Sequence, residues 1–116
     1  MKGKLSDKAR LQHILEAIIE LENYTKGITI NDFKGSSEKK FASVKQLEII
    51  GEAAGKITNE TKTAHSEVEW AGIIALRNIL VHDYYVIDEY VVWNIIKEDL
   101  PKLKEQIVLL INNLTD

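Results

Sequence analysis

Residues 67–85 read EVEWAGIIALRNILVHDYY, and the fold turns on this run. Trp70, Ile73, Ile74, Leu76, Ile79, Leu80 and Val81 recur at spacings of three and four, which is helical periodicity and not the alternation of a strand. The run predicts a helix from about Glu67 to His82. It is apolar nearly all round, so it belongs at the centre of a bundle or at a subunit interface. Into that surface the chain sets Arg77, Asn78, His82 and Tyr84. They supply a fixed cation, an amide, a group that exchanges protons near neutrality and a phenol. Such a set suits phosphate chemistry.

Working outward, Leu11, Ile14, Leu15, Ile18 and Leu21 mark a first helix from about Leu5 to Tyr24, with Ser6 or Asp7 as its N-cap. Gly27 to Gly35 reads as a connection with room for one helical turn at Ile30 to Phe33. Ser36 and Ser37 then offer caps, and Glu38 meets the positive end of the helix dipole. The next helix is expected from Ser37 to Lys56, with Phe41, Val44, Leu47, Ile50, Ala54 and Ile57 at helical spacing. Gly51, Ala53, Ala54 and Gly55 narrow one side of it, which permits close helix approach. Thr58 to Ser66 is polar and unpatterned, a loop or a frayed turn. Asp88 can cap a further helix through Val91, Val92, Trp93, Ile95 and Ile96. Pro101 calls for a kink or a new helix start before Leu103, Ile107, Leu110 and Ile111. Val86 and Ile87 are too short a run for a strand. The economical architecture is an all-α, up-and-down bundle of four to five helices, forming one domain over residues 1–116.

The bulk composition limits the function classes. Hydrophobic residues make up 45% and charged residues 28% of the 116, the balance of a soluble globular protein. Cysteine is absent, which removes disulfides, thiolate metal sites and cysteine nucleophiles together. No apolar run approaches the ~20 residues needed to span a bilayer, so no membrane role and a cytoplasmic location are expected. The formal charge of −3 argues against indiscriminate nucleic-acid binding, so any RNA contact must be local. Lysine and arginine gather at Lys2, Lys4, Lys8 and Arg10, and again at Lys34, Lys39, Lys40 and Lys45. The favoured reading of both groups is a solvated face. His13 and His65 look incidental, since neither has the neighbours of a metal site or proton relay. Trp70 and Trp93 read as packing anchors.

Helical geometry tests the polar cluster. At about 100° per residue, Arg77 and Tyr84 nearly coincide, and Asn78 shares a face with His82. Arg77 and His82 are about 140° apart on an ideal helix. They converge if the helix ends near His82, if Arg77 reaches round on its long stem, or if a second copy completes the site. Taken alone, a histidine near a helix end usually caps carbonyls, and an arginine usually pairs with a carboxylate, here Asp83 or Glu52.

The blocks ENYTKG, KQLEIIGEAAG, EVEWAGIIALRNILVHDYY and VVWNIIKEDLPKLKEQI stand in an order that resembles HepT-type proteins of the HEPN superfamily, over nearly the whole chain. The most specific piece is Arg, four residues, His, one residue, Tyr, met by Arg77, His82 and Tyr84. The resemblance implies a homodimeric, HEPN-like helical bundle acting as the ribonuclease toxin of a toxin–antitoxin pair. It implies Arg77 and His82 as the catalytic pair, with RNA as substrate and neither cofactor nor metal. Asn78, Tyr84 and Glu52 would support them. The implied partner is a cognate MntA-like nucleotidyltransferase antitoxin that silences the toxin by adding AMP to Tyr84, giving O-AMP-tyrosine. Tyr85 would be a packing residue. Glu52 fills a position that the family also fills with Glu; a buried acid needs a partner, so an ion pair with an arginine such as Arg77 is expected of it. The chain departs from the family after the motif, where the family commonly shows an aromatic and then a glycine before Val-Asp and this chain has Tyr85, Val86, Ile87 and Asp88. Valine lacks glycine's access to positive φ, so the turn there takes another shape. The alternative function is a non-catalytic subunit that binds nucleotide or docks the nucleotidyltransferase.

Overall fold

The computed structural model describes the backbone of residues 6–82 and 88–114, and the side chains of 6–77 and 88–114. All the regular structure among them is helical: α1 (Asp7–Thr25), α2 (Ile30–Lys34), α3 (Ser37–Gly55), α4 (Asn59–Ala64), α5 (Trp70–His82), α6 (Glu89–Asn94) and α7 (Leu100–Asn113). A single π-helical turn over Ile95–Asp99 joins α6 to α7. The all-α expectation is met, with more segments than the four to five anticipated.

Local chemistry sets the helix starts. The Ser6 hydroxyl accepts the Ala9 N–H at 3.1 Å, so Ser6 is the cap of α1 and Asp7 its first residue. Ser36 caps α3 by accepting from Lys39 N–H. Thr29 and Asp32 close a reciprocal capping box around the short α2. Gly27 sits at φ +73°, the left-handed conformation that lets the chain leave α1 and turn into α2. The polar stretch after α3 is helical where a loop or frayed turn was expected. Thr58 caps α4, and the Asp7 carboxylate accepts from the Thr58 N–H and from the hydroxyls of Thr58 and Thr61. A stretch with no apolar stripe is thereby held as a helix by caps and by α1. Burial pushes the Asp7 carboxyl up, but these hydrogen bonds, aided by the Lys62 charge, outweigh it and hold the group below its ordinary range.

α5 starts at Trp70, later than the expected Glu67. The Trp70 indole N–H donates to the His65 carbonyl at 3.0 Å, which ties the new helix to the end of α4. Further along the chain, Pro101 has no N–H and its ring crowds the carbonyl of the residue four back. The π turn relieves this: Leu100 N–H donates to the Ile95 carbonyl, a five-residue ring, and Pro101 falls in the first turn of α7.

α3 packs between α1 and α5, and α1 packs between α3 and α7. The core is the shared stripe of Leu11, Ile14, Ile18 and Leu21 with Leu47, Ile50, Ile107 and Leu110, all essentially without solvent exposure. Phe33 of α2 is also fully buried and stacks on Trp93 at 5.4 Å. Cross-links at the rim hold the order: Lys104 pairs with Glu22 at 2.9 Å, and the Gln46 amide donates to the Tyr24 hydroxyl.

Of the two placements expected of α5, the centre of the bundle or a subunit interface, the first does not form among the described residues. The helix lies at the end of the packing order, against α3, and of its described side chains only Trp70 and Ile73 are buried. Ile73 and Leu76 on its other side face Ile95 and Leu103 across an open groove of about 390 Å³. The apolar composition of this helix therefore exceeds what the described part of the fold encloses.

Candidate active site

Arg77 is positioned by what α3 lacks. Gly51 lies against the α5 backbone so closely that a Cβ there would sit 2.8 Å from Arg77 N and 3.1 Å from both Arg77 Cβ and Ile73 O. One turn on, a Cβ at Gly55 would lie 3.8 Å from the Arg77 guanidinium. The small side of α3 expected from Gly51 to Gly55 is thus a shallow bed. It brings the α5 backbone close and leaves the Arg77 side chain lying along α3 toward solvent.

Beside that bed, Glu52 accepts from Arg77 Nη1 at 3.4 Å and stands 3.9 Å from Lys56 Nζ. The expected Arg77–Glu52 pair is present, but its setting differs from expectation, because Glu52 is not a buried acid. The two side chains are 41% and 51% exposed, so the pair is screened and shared. Glu52 belongs to the solvent face of α3 one residue after Gly51, pointing outward while the glycine points at α5. Such a pair contributes at most ~1 kcal/mol, which makes Glu52 a guide for the guanidinium and not a lock.

Arg77 opens into a cleft of about 230 Å³ between α1, α3 and α5, lined also by Arg10, His13, Lys45, Glu48 and Ile49. The sequence read the cations as a solvated face and the histidine as incidental, and it did not place Arg10, His13 and Lys45 beside Arg77. Their spacing in the chain carries no signal, since only the packing of α1 on α3 brings residues 10 and 13 to residue 45. His65 remains apart, 3.8 Å from Glu67 and capping α4.

His82 closes α5 as described, so Arg77 and His82 belong to one helix, separated by about 7.5 Å of rise. Asn78 shares that helix; the side chains of Asn78 and His82 lie outside the described residues. So do Asp83, Tyr84, Tyr85 and the Val86 turn. Asp88 resumes the chain as the cap of α6, its carboxylate accepting from Tyr90 and Val91 N–H. Among the described residues no three His, Asp or Glu side chains are grouped to hold a metal ion, and no helix is long and apolar enough to cross a membrane.

The described residues thus set an arginine at a close contact of two helices and a histidine five residues along the same helix. The model of the family described as HepT-like, "Ribonuclease HepT-like", matches residues 14–110, and this chain belongs to that ribonuclease family. Among similar proteins, "Probable ribonuclease HepT" of Thermococcus cleftensis is 41% identical over 101 residues, covering 87% of this chain and 92% of that one. "Putative RNase MJ1380" of Methanocaldococcus jannaschii is 39% identical over 105 residues, covering 90% of this chain and 96% of that one. No solved structure matches this chain.

Proposed function

We propose that this chain is the toxin of a toxin–antitoxin pair, an endoribonuclease acting in the cytoplasm through Arg77 and His82 without a metal. The observation that carries the reading is Arg77. The bed of Gly51 and Gly55 presents its guanidinium to an open cleft, five residues before a histidine on the same helix.

RNA brings its own nucleophile. As the 2′-oxygen bonds to phosphorus, its proton must leave, and as the bond to the 5′-oxygen breaks, that oxygen must gain a proton. His82 transfers a proton in this exchange, an effect typically worth roughly 10²- to 10⁴-fold. The planar fork of Arg77 holds two phosphate oxygens and offsets the charge that grows on them. Asn78 orients the imidazole or holds a substrate oxygen, and Tyr84 sets a hydroxyl near the phosphate. Glu52 keeps Arg77 aimed until RNA arrives. The products are a 2′,3′-cyclic phosphate and a 5′-hydroxyl.

The reading includes a homodimer, because a second copy brings a histidine to an arginine that its own helix sets well round from it. It also includes silencing by a cognate MntA-like nucleotidyltransferase, which transfers AMP to Tyr84 and puts bulk and negative charge where substrate must sit. Expression of the wild type alone should arrest growth, and His82→Ala should abolish the arrest. Equal growth with both would refute the toxin reading and favour a non-catalytic subunit that docks the nucleotidyltransferase. After incubation with ATP and that partner, intact mass should show AMP additions on the wild type and none on Tyr84→Phe.

A further inference from the structure

Two cavities lined by described residues beside α5 have opposite electrical characters. Among the described residues, the groove toward α7 carries Glu67, Glu69, Glu98 and Asp99 against one cation, Lys102, and it repels a phosphate backbone. On the other side, the cleft between α1, α3 and α5 gathers Arg10, Lys45 and Arg77 against Glu48 and Glu52, with His13 beside them. It is locally cationic in a chain of net charge −3. Moreover, no carboxylate among the described residues lies within 4.0 Å of the Arg10 guanidinium or the Lys45 ammonium. Three fixed cations from three helices thus meet at one opening, and among the described residues the only carboxylate engaged there, Glu52, is shared between Arg77 and Lys56 and half exposed.

We infer that this cleft is a phosphate subsite for the RNA strand, in which Arg10, His13 and Lys45 hold a phosphodiester neighbouring the one gripped by Arg77. The inference rests on the ribonuclease reading and adds the path of the substrate: the strand crosses α1 and α3, not the acidic groove at α7. Size favours a backbone segment over an enclosed mononucleotide. The cleft measures about 230 Å³, below the ~300–1,000 Å³ of sites that enclose a whole small-molecule ligand. Arg10 supplies a planar fork for two phosphate oxygens and Lys45 a compact charge on a flexible stem. His13 donates a ring N–H to the same oxygens. Glu52 yields its weak contact with Arg77 when a phosphate arrives, because a half-exposed pair has little to lose.

The test is direct binding of a 5′-labelled single-stranded RNA 12-mer, read by fluorescence anisotropy across a salt series in the His82→Ala background. Each phosphate neutralised on a single strand adds about 0.7 to the slope of log K against log salt, so Arg10→Gln with Lys45→Gln, which together release one phosphodiester, should lower the slope by about 0.7. Lys26→Gln, at the far end of α1, should leave the slope unchanged. Glu48→Gln removes a negative charge from the cleft and should tighten binding by about 2- to 5-fold, a gain that no misfolded variant can mimic. An unchanged slope in the double variant, or no tightening with Glu48→Gln, overturns the subsite. The ribonuclease reading fails on a different result, RNA bound by the wild type but never cut.

Discussion

Replacing Gly51 by alanine should damage this protein twice, and by separable amounts. The new Cβ would meet Arg77 N at 2.8 Å, whereas ordinary contact begins at 3.4 Å, so α5 must retreat from α3 by about 0.6 Å, the difference of the two. Both nearby atoms besides Arg77 Cβ are backbone, so no side-chain rotation relieves the contact. Overpacking of this kind costs ~1–3 kcal/mol, against which alanine recovers ~1 kcal/mol of helix propensity. The net loss is about 1 kcal/mol, a fall in Tm of roughly 3–6 °C for a chain of this size. Gly72→Ala is the matched control, a helical glycine of α5 whose added Cβ meets nothing within 4 Å. It should raise stability by ~0.5–1 kcal/mol. Because the retreat carries Arg77 with it, RNA cleavage by Gly51→Ala should fall at least tenfold at a temperature where the variant is fully folded, since a misplacement approaching 1 Å can cost ~10²-fold. Thermal melts by circular dichroism and initial rates on a fluorogenic RNA measure the two effects. A Gly51→Ala protein that melts at or above the wild type, as Gly72→Ala should, would show that α3 and α5 are not in the close contact from which the site is argued.

Three further outcomes follow from particular contacts. Asp7 has a depressed carboxyl in the folded state, so its contribution to stability is present above the ordinary aspartate range and is lost as pH falls through the folded value; Asp7→Asn should lower Tm at pH 7 and flatten the dependence of Tm on pH below about 5. Gly27→Ala places a side chain at φ +73° and should cost ~1–2 kcal/mol, seen as an earlier urea midpoint with an unchanged m value. Glu52→Gln should change stability by no more than ~1 kcal/mol, because its pair with Arg77 is half exposed, yet it should alter RNA cleavage, measured as kcat and KM separately.

The helices were legible because each carries its own start signal and an apolar stripe. Ser6, Ser36 and Asp88 cap as their positions suggest, and Leu11, Ile14, Ile18 and Leu21 bury as their spacing requires. The failures have physical causes. α4 has no apolar stripe; its partner is a carboxylate 51 residues earlier in the chain, a long-range contact that no local pattern announces. The π turn was visible only as a conflict at Pro101, and a kink, a new start and a widened turn all resolve that conflict. For α5 the composition left a choice between the centre of the bundle and a subunit interface, because periodicity reports how much apolar surface a helix has, not what covers it.

The site divides along the same line. Arg77 was legible as a residue and its ion pair with Glu52 as a possibility, but the exposure of that pair was not. The small residues of α3 suggested burial for Glu52, when they in fact mark the side turned to α5, and consecutive helical residues point about 100° apart. Gly51 and Glu52 therefore act on Arg77 from two directions, the first by fixing its backbone against α3 and the second by steering its guanidinium from the solvent side. The first is a requirement of packing and admits no substitute; the second is an exchangeable charge. Under the proposed mechanism, a site built this way keeps its arginine aimed in the absence of RNA without holding it so tightly that phosphate cannot claim it. The cations of the cleft fit the same logic, because Arg10 and Lys45 come from helices fixed to α3 by the core while their charged ends stay unpaired among the described residues.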